Sequence, residues 1–226
     1  MNNIKGLIKK DLYNLSSYKM TVLVLVAFIA LFGSFSEDSI QFIPIAISAA
    51  IGMIMLSTFN YDESSKSEHY ILSLPTNKRE VIKSKYILII LGNIIGSIIG
   101  VIITILAAYI VAFIKKSGIP QIDYGLIFTY ALGGFFGVSL IEAIQIPSIY
   151  KWGAEKGRIQ MFILIFILVM LIMGIVYIAG NITFNIDLAF LENLFGKYGV
   201  LLEVLMICLM YFISYKVSNK IYKNKE

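Results

Sequence analysis

The sequence predicts an all-α membrane protein of six transmembrane helices, preceded by an amphipathic helix at the membrane interface. Three observations carry that prediction. Of 226 residues, 58% are hydrophobic and only 15% charged, whereas a soluble domain holds roughly 45–50% and about 25%. The excess is gathered into six blocks of about 20 residues, the length that crosses a hydrocarbon core of about 30 Å. Lysine and arginine, finally, sit between those blocks in an alternating pattern that assigns every flank to one side.

The blocks run over about 20–35, closed by the acidic Glu37 and Asp38; 40–59, interrupted early by Pro44; 86–114, long enough to tilt; 124–149; 159–180; and 199–215. They leave only short loops, so residues 1–226 read as a single transmembrane domain. With the N-terminus inside, sixteen of the nineteen basic residues fall on cytoplasmic flanks, and only Lys115, Lys116 and Lys197 lie outside. The outer loops carry Glu37, Asp38, Asp123, Asp187 and Glu192. Both termini are therefore expected in the cytoplasm, in a plasma membrane. The first block has nearly twenty residues before it and no Ala-x-Ala site after it, so it reads as a retained span rather than a signal peptide. Seventeen lysines against two arginines hint at an AT-rich bacterial genome.

Several functions are excluded on chemistry. The single cysteine, Cys208, cannot form an intrachain disulfide. The single histidine, His69, lies in a loop, so neither an intramembrane serine protease nor a metal centre needing two imidazoles fits, and no metal site is expected. There is no Gly-x-x-x-x-Gly-Lys-Ser/Thr to cradle nucleotide phosphates. The net charge of +5 is explained by topology, so no nucleic-acid partner is expected. The chain reads as no enzyme, with no catalytic residues and no cofactor of its own.

Residues 1–19 place Ile4, Leu7, Ile8, Leu12 and Leu15 on one helical stripe and Lys5, Lys9 and Lys10 elsewhere. This is the pattern of a helix lying in the headgroup plane, its lysines on anionic lipid. Asp11 falls inside the apolar stripe. A carboxylate there needs a partner, and a basic side chain of the next cytoplasmic segment is the reading. The alternative is a frayed end with Asp11 in water.

Residues 60–85 are the longest polar stretch. Tyr70, Ile71 and Leu74 give a short helix one apolar edge before Pro75 stops it. Asn77, with Glu80 three residues on, caps a second helix that runs into the third span. A tether needs neither an apolar edge nor a capped restart, so this corner calls for a protein partner or the bilayer surface. Enforcing topology would explain the lysines but not the Ser73-Leu74-Pro75 corner.

The Asp62-Glu63 opening, the Leu72-Ser73-Leu74-Pro75 core and Lys78-Arg79-Glu80 with Ser84-Lys85-Tyr86 resemble the first cytoplasmic loop of small type 2 ABC exporter permeases. Leu7-Ile8-Lys9-Lys10-Asp11-Leu12 resembles that family's opening helix, and the stretch from Ile146 to Arg158 its second cytoplasmic loop. In size the chain is similar to the phenol-soluble modulin and lantibiotic-immunity exporters. The resemblance implies short cytoplasmic coupling helices that dock on a separate ABC ATPase, two copies of which would carry ATP and Mg. In the first loop the segment from Glu68 to Glu80 would dock, with Tyr70, Leu72, Leu74 and Pro75 as packing contacts and Lys78, Arg79 and Glu80 as polar anchors; Glu155, Lys156 and Arg158, in a second loop at 150–158, would make a smaller contact. A second permease copy or paralogue is implied as well.

Within the membrane, Gly92, Gly96 and Gly100 in the third span, and Gly133 and Gly137 in the fourth, let helices approach closely, within a subunit or between two. Glu142 and Glu203 are the carboxylates inside apolar blocks. An ionised carboxylate at mid-bilayer costs at least a few kcal/mol, so each must face protein, water or an interface. Glu142, with Gln145 and Asn93, is the better candidate for a cargo path; a structural partner or a protonated acid explains it equally. Transport of an amphipathic peptide or lipid-like cargo is the functional expectation. The alternative is a substrate-capture subunit or small secondary transporter, for which the internal repeats such folds show are absent.

Overall fold

The computed structural model describes residues 2–35, 40–65, 77–116, 118–120, 122–181 and 188–224. The described residues are helical throughout their regular structure. Helix α1 (Asn2–Leu15) passes through a 3-10 turn (Ser16–Tyr18) into α2 (Lys19–Gly33). There follow α3 (Ile43–Ser64), α4 (Lys78–Lys115), α5 (Tyr124–Trp152), α6 (Ala154–Asn181) and α7 (Leu188–Lys223). Among the described residues, six stretches are long and apolar enough to span a membrane: Ile4–Gly33, Ile43–Ser64, Lys78–Lys115, Tyr124–Trp152, Ala154–Ile175 and Tyr198–Lys223. This is an all-α membrane protein.

The helices run further than the apolar blocks do. Helix α4 has 38 residues and is therefore about 57 Å long at 1.5 Å per residue, nearly twice the hydrocarbon thickness. Its first two turns, Lys78 to Lys85, precede the apolar run. Asn77 and Glu80 form the capping box there, with the Asn77 N–H donating to the Glu80 carboxylate at 3.2 Å. Asn60 to Ser64, expected in the loop, instead continue α3. Pro44 does not interrupt α3. It occupies the first turn, where its missing N–H has no intrahelical acceptor to lose.

The chain divides into two compact units, Met1–Ser139 and Leu140–Glu226. In the first, α3 and α4 pack along their length. Ile43, Ile47, Ile51 and Ala107 form the buried cluster, with Val26 and Ile29 of α2 against its flank. The glycines of α4 make this approach possible. A Cβ at Gly100 would lie 3.0 Å from Pro44 Cα, one at Gly96 3.1 Å from Ile51 Cβ, and one at Gly92 would run into the Met55 side chain. Across the same seam Ser48 Oγ and Ser97 Oγ meet at 3.2 Å. On α5 the close approach falls at Gly134, 2.9 Å from Ile45 Cα, and not at Gly133 or Gly137, where an added Cβ meets nothing within 4 Å. Asn93, on α4, is fully buried in this unit.

In the second unit, the segment read as a loop over 150–158 is a single residue between two helices. Gly153, at φ +91°, joins α5 to α6, a backbone geometry that side chains with a Cβ rarely adopt. Gly157 then lets the first turn of α6 lie against Ile149, and Gln145 Nε2 donates to the Gly157 carbonyl at 3.4 Å. The Tyr150 and Tyr222 rings pack edge to face at 5.2 Å, fastening the end of α5 to the end of α7.

Candidate functional site

Four charges from three helices converge at one end of the first unit. Asp11 and Lys10 come from α1, Asp62 from the last turn of α3, and Lys85 from the second turn of α4. Each lysine touches both carboxylates. Lys85 Nζ lies 3.0 Å from Asp11 Oδ1 and 2.6 Å from Asp62 Oδ2; Lys10 Nζ lies 3.1 Å from Asp11 Oδ1 and 2.5 Å from Asp62 Oδ1. Lys85 and Asp11 are 3% and 1% exposed, and Lys10, at 31%, forms the outer edge.

Charges withdrawn this far from water repay their desolvation only when their remaining donors are also met. An ammonium has three donors. Those of Lys85 reach Asp11, Asp62 and, at 3.3 Å, the Thr58 carbonyl, while the Phe59 ring stands 5.2 Å away. Among these four side chains, two positive charges balance two negative ones. A second rung lies one turn earlier on both α1 and α4, where Leu7 packs on Val81, both buried. The Tyr18 ring, in the 3-10 turn, meets Tyr61 edge to face at 5.6 Å. The start of the chain is thus fixed to the ends of α3 and α4, the two helices that residues 66–76 connect.

Asp11 therefore has its basic partner, and that partner, Lys85, comes from the segment where it was sought. Leu12, on the same apolar stripe, is exposed. Glu68, Tyr70, Leu72, Leu74 and Pro75 lie outside the described residues. Lys78, Arg79 and Glu80 stand in the first turn of α4, next to the cluster in sequence. Glu155 and Lys156 are exposed on the first turn of α6; the Arg158 side chain is outside the described set.

The second unit holds its own polar seam. Glu142 is 1% exposed, and Tyr211 of α7 donates to its Oε2 at 2.7 Å. Gln145 on α5 is also buried, and so are Ser214, Ser218 and Tyr222 on α7. Glu142 and Gln145 thus sit among protein groups. The spacing of 211, 214, 218 and 222 along one face of a helix is the signal that could have found this seam. Glu203 is only partly buried.

Among the described residues no group of three or more His, Cys, Asp or Glu could hold a metal ion. A family model, that of the ABC-2 family transporter protein, matches residues 6–223. No curated protein and no solved structure matches the chain.

Proposed function

The chain belongs to the ABC-2 transporter family, and from that premise we propose that it is the permease of an ATP-driven exporter whose ATPase is a separate polypeptide. It is a multi-pass membrane protein and a transport subunit; the finer reading follows from its residues. The permease sits in a bacterial plasma membrane with both termini in the cytoplasm, paired with a second copy or a paralogue and with two ATPase subunits that bind ATP and Mg. The segment from Glu68 to Glu80 docks on the ATPase through Tyr70, Leu72, Leu74 and Pro75, with Lys78, Arg79 and Glu80 as polar anchors. Glu155, Lys156 and Arg158 supply the smaller second contact. Closure of the ATPases on nucleotide would displace these segments and open a path alternately to either side.

The single observation that carries this reading is the family match over nearly the whole of a six-span chain. Cargo follows from composition. Apolar spans and short outer loops suit an amphipathic peptide or a lipid-like molecule entering sideways from the bilayer.

The test is co-expression with a span-free, Walker A-bearing reading frame taken from the chain's own genomic neighbourhood. The two are expected to purify as one complex. Leu74→Arg places a charge in the centre of an apolar contact and is expected to cost at least about 2 kcal/mol of binding, a roughly 30-fold loss of recovered ATPase. Unchanged recovery and unchanged ATP turnover in Leu74→Arg and Pro75→Ala would remove the coupling role from this loop. A wild-type chain that recruits no ATPase would remove the exporter reading itself.

A further inference from the structure

A buried ion cluster is a poor way to hold three helices together. Well-packed apolar side chains of the same volume do so as well or better. What a two-by-two cluster offers instead is exchange. Because Lys10 and Lys85 each touch both Asp11 and Asp62, one contact can lengthen while every charge keeps an opposite neighbour. Such a junction shifts between arrangements at low cost, as salt bridges do at rotating interfaces.

What lies on either side of the junction gives it a direction. On one side are the ends of α3 and α4, held by Asp62, Lys85 and the Lys85 contact to the Thr58 carbonyl. On the other is α1, which continues through only three residues of 3-10 turn into the first span. Helix α2 has no fully buried residue; its partly buried side chains include Val26 and Ile29, which lie against the α3–α4 cluster. It is the span of this unit with the least to lose by moving. The rung from Leu7 to Val81 and the ring contact from Tyr18 to Tyr61 tie the lever at both ends of the junction.

We propose that Lys10, Asp11, Asp62 and Lys85 form a transmission joint through which displacement of the α3 and α4 ends drives α1 and, through the 3-10 turn, the first span α2. This rests on the exporter reading, since it takes the ATPase as the source of the displacement. The four side chains are positioning residues: they touch neither nucleotide nor cargo.

The variant Lys10→Gln/Asp11→Asn tests it cleanly. It strips both charges from α1 yet leaves Asp62 paired with Lys85 at 2.6 Å, so α3 and α4 stay joined and no buried charge is orphaned. In a Cys208→Ser background, spin labels are placed at exposed Tyr13 on α1 and at exposed Ile119 beyond the far end of α4. A second pair replaces Tyr13 by Ser65, at the end of α3. Distances are measured by pulsed electron resonance in the complex with the co-expressed ATPase, with and without ATP plus vanadate, which traps ADP after hydrolysis.

In the wild-type background both pairs are expected to shift on the order of 2–5 Å. In Lys10→Gln/Asp11→Asn the Ser65 pair should still shift and the ATPase should still be recovered in full. The Tyr13 pair should stand still, and ATP turnover should fall about tenfold. If the Ser65 pair moves in the wild-type background and the Tyr13 pair does not, the joint is refuted and the exporter reading stands. Wild-type movement and turnover in the double variant refute the joint in the same way. Failure to recruit any ATPase overturns both.

Discussion

Replacing Lys85 by methionine is expected to destabilise the first unit by about 3–5 kcal/mol, the cost of removing one partner from a buried ion pair. The change leaves Asp11 and Asp62, 3.0 and 2.6 Å from the lost ammonium, to share Lys10 at the exposed edge, and it strips the Thr58 carbonyl of its side-chain donor. The charge, and not the packing, is what matters: methionine is unbranched and apolar and fills most of the space. The double variant Lys85→Met/Asp11→Leu should therefore recover most of the loss. It removes one positive and one negative charge together and leaves Lys10 on Asp62 at 2.5 Å. Lys10→Met, at a site 31% exposed, should cost far less than Lys85→Met, because water screens what remains. Denaturation midpoints in detergent measure all three. If the single and double variants at Lys85 melt together, the cluster acts by volume alone and its electrostatic account is wrong.

That cluster also marks how far the sequence can be read. Asp11 announced itself, since a carboxylate on an apolar stripe must find a cation. The other members of the cluster did not. Lys85 is one of several basic residues flanking the third span, and Asp62 is one of two adjacent acids opening a polar stretch; nothing local separates them from their neighbours. Only the α3–α4 packing, set by Gly92, Gly96 and Gly100, decides which of them are carried inward. The spans were legible for the opposite reason, because hydrocarbon thickness imposes a length that composition must match. Helix ends were less so. The start of α4 was marked by Asn77 and Glu80, whose capping box is present, but the end of α3 was not: the apolar run stops at Phe59, while the helix continues through Asn60 to Ser64. Likewise 150–158 looked like a loop by charge, while a single positive-φ glycine, Gly153, suffices to turn the chain.

The largest steric effect is expected at Gly134, and its neighbour Gly133 supplies the control. Both stand in the middle of α5, where alanine is favoured over glycine by roughly 1 kcal/mol from backbone entropy alone. At Gly133 nothing lies within 4 Å of an added Cβ, so Gly133→Ala should be neutral or stabilising by up to about that amount. At Gly134 the added atom falls 2.9 Å from Ile45 Cα. That is main chain one residue past Pro44, and it cannot rotate away as a side-chain tip would. Either α3 or α5 must shift, and overpacking of this kind costs about 1–3 kcal/mol, enough to reverse the propensity gain. Gly134→Leu, which extends the clash by three further carbons, should prevent folding of the first unit. Unfolding midpoints of the two alanine variants in one detergent decide the matter. Equal midpoints for Gly133→Ala and Gly134→Ala would mean that α5 does not rest on α3 at Ile45.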